Sequence, residues 1–147
     1  MTYAAWDGYR TAVLVIDTPT EALRVEPGPL GTTEGRFPFN ETIHIITAFN
    51  PGIQLSDSEN ALRHRELGSL LDERGARFFT ARGADPEWSH VEASFAVLGL
   101  ARTDAVALGR QFGQDAIFEW TPRAWAIVGC DEERVERSGW SCRAVPG

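Results

Sequence analysis

Residues 42–49, Thr-Ile-His-Ile-Ile-Thr-Ala-Phe, are almost unbroken in apolar or β-branched side chains. Such a run has no polar face to offer water, so it is stable only as a strand covered on both sides. A fold for this chain must therefore place material on each face of a sheet. Asn50-Pro51-Gly52 stops the run. Ser56-Asp57-Ser58-Glu59 then has capping-box form, with Glu59 three residues after Ser56. The helix it opens is expected to run to about Arg74 and to end at Gly75.

Further strands are expected at 76–81 and 91–98, around the turn residues Gly83-Ala84-Asp85-Pro86. Thr103 is expected to cap a second helix in which Ala105, Leu108 and Phe112 share one face and which Gly113 ends. Segments 116–120 and 124–129 read as a hairpin about Thr121-Pro122-Arg123. Ahead of the central run, 3–9 reads as a short helical turn and 11–17 with 21–26 as a hairpin. Residues 27–39, rich in proline and glycine, read as a loop.

The order from Thr42 to Trp120 is β-α-β-β-α-β, the split βαβ of ferredoxin-like sandwiches. The expected fold class is α+β: a two-layer sandwich with that centre, its sheet extended by an N-terminal hairpin and a C-terminal strand. At 147 residues one domain is expected. It divides into 1–41 (hairpin and loop), 42–129 (core) and 130–147, a charged and poorly patterned stretch expected as a loose tail.

A net charge of −7 repels phosphate backbones, which disfavours nucleic acid as a partner. All 14 basic residues are arginine, and a genomic base-composition bias accounts for that better than phosphate recognition. Residues 1–10 lack the basic and apolar regions of a signal peptide, and no apolar run is long enough to span a bilayer. The expected location is the cytoplasm, with Cys130 and Cys142 as reduced thiols and no membrane partner.

Connectivity gathers polar residues at one end of such a sheet. Asn50 closes the first core strand, Asn60 lies early in the first helix and Glu92 opens the third core strand. Arg110 is near the end of the second helix, and Gln114 precedes the last core strand. These five are expected on one rim, with Thr47 and Ser94 as further candidates. Asn60, His64, Leu67 and Leu71 form one helical stripe, so Asn60 is expected to be buried and to need partners for its amide.

Ile46-Thr47-Ala48-Phe49-Asn50-Pro51, Asn60, Glu92-Ala93-Ser94-Phe95 and Phe112-Gly113-Gln114-Asp115-Ala116 together resemble an uncharacterised bacterial family, domain of unknown function 3293. The resemblance covers roughly Thr11 to Val128 and is strongest between Ile46 and Ile117. It departs around Trp88–Val91 and in the cysteine-containing tail. It implies no activity, because the family has none assigned.

Chemically, Glu92 is the one candidate catalytic residue. Among apolar neighbours its carboxylate would be partly desolvated and suited to act as a general base. The competing arrangement pairs it with Arg110 or Arg82, or with the amide of Asn50 or Gln114. His90 and Glu92 leave the same strand face and with His44 or His64 would make a His/His/Glu set. No HExxH or paired-cysteine spacing supports one, and no metal or cofactor is expected. No GxSxG surrounds a serine, no Walker loop is present, and the five tryptophans suit core packing better than base stacking.

Three functions stay open. The first is binding of a small polar molecule or peptide at Asn50, Asn60, Gln114, Arg110, Thr47 and Ser94. The second is a small hydrolase or transferase with Glu92 as base. The third is an interaction protein whose polar cluster only fastens loops.

Overall fold

The computed structural model describes residues 3–146, with side chains from Trp6 onward. Met1, Thr2 and Gly147 lie outside the described residues, as does the part of the leader reading that rests on Met1 and Thr2. In chain order the elements are α1 (Tyr3–Thr11), β1 (Val13–Asp17), β2 (Ala22–Gly28), β3 (Thr33–Glu34), β4 (Ile43–Thr47) and α2 (Asp57–Glu73). They continue with β5 (Arg77–Ala84), β6 (Val91–Leu98), α3 (Arg102–Gln111), β7 (Ala116–Trp120), β8 (Trp125–Gly129) and β9 (Val135–Val145).

Around the sheet the strands run β2-β1-β5-β6-β4-β7-β8-β9, and β9 then pairs with β2. Every pairing in this ring of eight is antiparallel, while β3 adds a short parallel rung on β9. The sheet is therefore a closed β-barrel. The expected two-layer α+β sandwich with a ferredoxin-like centre is wrong, because the sheet has no open ends.

The cause of closure is β9, which lies in the stretch expected as a loose tail. Its residues Val135–Ser138 pair with β8, and Gly139–Val145 pair with β2. One long strand thus bridges the two edges that the sandwich would have left open, and closure removes the cost of unpaired edge groups. The change of partner falls at Gly139. A Cβ there would lie 2.2 Å from the carbonyl oxygens of Pro29 and Thr32, so the crossing chain leaves room only for hydrogen.

Alternate strand residues fall into two separate apolar clusters. One fills the barrel interior and includes Leu14, Ile16, Ile43, Ile45, Phe118, Trp120, Trp125 and Trp140. An eight-stranded barrel is just wide enough to be filled by side chains, and here the filling is largely aromatic. Trp120 meets Trp140 edge-on at 5.3 Å between ring centres. The second cluster lies outside the barrel, where Leu67 and Leu71 of α2 and Leu108 of α3 cover Ile46, Phe95, Val97 and Ile117. This satisfies the central run on both faces: Ile43 and Ile45 point in, and Ile46 points out beneath the helices.

Local signals behave as their chemistry requires, with one exception. Ser56 caps α2, its Oγ accepting the Glu59 N–H at 3.2 Å. Thr103 does not cap α3, which begins one residue earlier at Arg102 with Ala101 as a cap lacking any side-chain hydrogen bond. Beneath α3, His44 Nε2–H donates to Glu119 at 2.9 Å, and Arg102 grips the same carboxylate through Nε at 2.9 Å. The Arg102 guanidinium and then His44 hold the Glu119 carboxyl down to about 2.

Both mouths of the barrel are stoppered. At one, Phe37 and Phe39 press edge-on against Trp120, with ring centres 4.8 and 5.9 Å away. At the other, where β4 and β5 end and β6 and β7 begin, α1 crosses the opening. Trp6 is fully buried there, with the Arg134 guanidinium 4.1 Å above its ring. Tyr9 meets Phe118 edge-on at 5.7 Å. Arg10 ties the helix to β9 through Glu136 at 2.8 Å.

Candidate functional site

Between α1 and the ends of β4–β7 the stopper is incomplete and leaves a cavity of about 640 Å³. Its floor follows from strand register. Thr47 and Ser94 are directly opposite in the β4–β6 ladder, and Glu92 is opposite Gly83 in the β5–β6 ladder. Gly83 is in turn opposite Leu14 of β1. Glu92, Ser94 and Thr47 share the inward face of Ala96 and Ile45, so they extend the barrel interior upward as the core gives way to polar groups. With no side chain at Gly83, the space beside Glu92 stays open; a Cβ there would meet only Leu14 Cδ1, at 3.3 Å.

The loop after β4 is held by an amide pair. Asn50 adopts a left-handed backbone, φ 47°, which Asn tolerates better than most residues. Its backbone N–H donates to Asn60 Oδ1 at 2.9 Å. Its side-chain Oδ1 accepts from Asn60 Nδ2 and from the Leu55 N–H, both at 2.9 Å. With two donors on Oδ1, Nδ2 must face the other way, and it donates to Glu92 Oε2 at 2.8 Å. Asn60 on α2 thereby aims Asn50 at Glu92. Arg63 of α2 adds a clasp by donating to the carbonyls of Ala48, at 2.7 Å, and Phe112.

Gln114 is only 5% exposed. Its Nε2 donates to the carbonyls of Phe49 at 2.9 Å and Phe112 at 3.3 Å. Its Oε1 accepts no hydrogen bond among the described residues, and Gln114 lines the cavity. The Ser94 hydroxyl, on a residue 4% exposed, makes only a 3.5 Å contact to the Glu92 carbonyl. Glu92 uses Oε2 for Asn50 and for a 3.3 Å contact with His90 Nε2, leaving Oε1 unpartnered among the described residues.

The structure thus brings Thr47, Asn50, Glu92, Ser94 and Gln114 to one cavity wall. Asn60 stands behind that wall and acts on it through Asn50. Arg110 is not brought there. It points from α3 toward the loop after β8, donating twice to the Cys130 carbonyl at 3.0 and 2.6 Å. Of the arrangements weighed for Glu92, the one present is the amide contact with Asn50. Arg82 lies instead near Asp17 and Trp88.

His44 is under α3 and His64 is stacked on Phe95 at 4.2 Å, so neither joins His90 and Glu92. Among the described residues no three of His, Cys, Asp and Glu gather closely enough to hold a metal ion. Cys130 and Cys142 are unbonded and lie in different clusters. Burial, and secondarily Asp131, pushes the Cys130 thiol up to about 12; burial and Glu21 push Cys142 up to about 11. Burial of this kind disfavours the thiolate that a nucleophilic cysteine needs.

Polar wall residues missed from sequence include Tyr9, Thr11, Asp85, Asp115 and, as part of this wall, His90. Asp115 follows Gln114 directly, and the same connectivity carries both to this wall. Tyr9 carried no signal, because nothing local says that α1 crosses the barrel mouth. Burial, and then the charge of Asp115, raises the Tyr9 hydroxyl pKa and keeps it protonated.

Residues 46–117 match the model of a family described as protein of unknown function (DUF3293). This is the family that the Ile46–Pro51, Glu92–Phe95 and Phe112–Ala116 segments resemble. The matched span holds Thr47, Asn50, Asn60, Glu92, Ser94, Gln114 and Asp115, whereas α1 lies outside it. No curated protein and no solved structure matches the chain.

Proposed function

We propose that the α1-covered barrel mouth binds a small polar molecule, held by Glu92, Gln114 and Ser94. The observation that carries this reading is Gln114: a buried side chain on the cavity wall that anchors two carbonyls through Nε2 yet leaves Oε1 without a donor among the described residues. A cluster that only fastened loops would engage its buried acceptors internally. The Asn60–Asn50 pair fits a fastening role, but Gln114 Oε1, Glu92 Oε1 and the Ser94 hydroxyl do not. A cavity of about 640 Å³ also falls in the range of small-molecule sites.

A concave cavity favours a small molecule over a peptide, and its carboxylates disfavour nucleic acid. No helix among the described residues is long and apolar enough to cross a membrane. We place the chain in bacterial cytoplasm, on its family resemblance and on two unbonded thiols.

A thermal-shift screen of small polar molecules tests the reading. A ligand should raise the melting temperature of the wild type and not of Gly83→Val, which fills the floor beside Glu92 with a strand-compatible side chain. A hit that stabilises Gly83→Val equally would place binding elsewhere. Catalysis by Glu92 is the second reading and rests on the free Oε1. Under it, Glu92→Gln retains the ligand but abolishes its turnover.

A further inference from the structure

We infer that the ligand of this cavity is an organic cation, an amine, amidine or guanidine attached to a carbon body. The inference rests on the binding reading above and adds the sign and kind of charge.

Three carboxylates line the cavity, those of Asp85, Glu92 and Asp115, and no arginine does. The chain is not short of cations, since it has 14 arginines and no lysine. The nearest candidates are engaged elsewhere: Arg63 on the Ala48 and Phe112 carbonyls, Arg82 near Asp17, and Arg110 on the Cys130 carbonyl. Glu92 therefore has an amide and a rim histidine as partners in place of a cation. Asp115 has no ion pair among the described residues. Asp85 accepts from the Ser89 hydroxyl and the His90 N–H and, like Asp115, has no ion pair among the described residues. In a concave site, carboxylates without an arginine partner focus a negative potential on the space between them.

Hydrogen-bond capacity points the same way independently of charge. The buried Gln114 side chain presents an open acceptor, Oε1, and Glu92 presents another, also Oε1. Both amide donors on this wall are engaged, Asn50 Nδ2 by Glu92 and Gln114 Nε2 by the Phe49 and Phe112 carbonyls. The unpartnered acceptors of Gln114 and Glu92 call for a ligand that donates, and the Ser94 and Tyr9 hydroxyls serve a ligand either way. Tyr9 lines the cavity as a neutral phenol and adds no charge to it.

The acceptors are spread along the wall and are not focused on one point. Among the described residues they form no set tight enough for a metal ion. A cation with several N–H groups can reach separated acceptors, and Leu14 and Phe118 give its carbon body an apolar surface.

Calorimetric titration of the full chain with benzamidine, benzamide and benzoate tests the charge at nearly constant shape. Benzamidine should bind at least about tenfold more tightly than benzamide, and benzoate should not bind. Asp115→Asn and Glu92→Gln, each near-isosteric, should weaken benzamidine by about five- to tenfold while circular dichroism stays native. Benzamide or benzoate binding as tightly as benzamidine would overturn the cation inference and leave the binding reading intact. So would a broad thermal-shift screen yielding only neutral or anionic ligands that Gly83→Val abolishes. A cation emerging from that screen, weakened by Asp115→Asn, would support the inference even if benzamidine were a poor fit. Silence in both experiments would overturn both readings.

Discussion

Asn60 and Asn50 are joined twice: Asn60 Nδ2 donates to Asn50 Oδ1, and Asn60 Oδ1 accepts the Asn50 backbone N–H, each at 2.9 Å. The pair holds a left-handed residue in place and fixes which way its amide faces. Asn60→Ala should destabilise the fold by about 2–4 kcal/mol, since it removes two bonds and strands buried partners. Asn60→Asp keeps the acceptor for the Asn50 N–H and should cost less. Urea denaturation of both variants checks the order; equal stabilities would mean that the pair does not hold the loop.

The His44–Glu119–Arg102 group predicts how stability responds to acid. The Glu119 pKa is depressed on folding from its ordinary 4.5 to about 2, so the native state binds fewer protons than the unfolded state between those values. Its contribution is present above pH 4.5 and is lost as pH falls through the folded value near 2. The loss should reach up to about 3 kcal/mol. Glu119→Gln should flatten the stability profile in that window and leave the slope above it unchanged, as measured by denaturation at stepped pH.

Gly139 should tolerate no side chain. In Gly139→Ala the new carbon would meet two backbone oxygens, at 2.2 Å, where no rotamer change gives relief. The expected cost is about 3 kcal/mol or more. Hydrogen exchange should show β2 and the second half of β9 losing protection first. Uniform loss across all strands would contradict the role of this crossing in closure.

Trp6 plugs the mouth beside the cavity. Trp6→Ala removes a fully buried indole and the Arg134 contact above it, and should cost about 3–5 kcal/mol. It should also free α1, which would appear as faster exchange at Val13–Ile16 and weaker ligand binding. Normal binding in a destabilised variant would separate the helix from the site.

Some of this architecture is legible in the chain because its causes are local. The 42–49 run demands two covered faces, and Ser56 with Glu59 marks a helix start. Barrel closure is not legible. It depends on β2 meeting β9 across the whole chain, and before the change at Gly139 β9 is half-buried at Val135, Glu136 and Ser138 and exposed at Arg137, so no clean period of two survives. The same division holds at the site. Thr47, Asn50, Glu92, Ser94 and Gln114 sit at strand ends or beside them, where connectivity alone fixes their level. Arg110 sits on a helix, where direction around the axis also matters, and it faces the Cys130 loop. Tyr9 depended on a helix crossing the mouth, which no neighbouring residue announces.

Because β9 supplies the last seam, the order of synthesis matters to this molecule. While the nascent chain lacks residues 135–145, the outer edges of β2 and β8 both stay unpaired and expose sticky ribbon to neighbouring chains. Loss of β9 should therefore leave a chain that self-associates during translation.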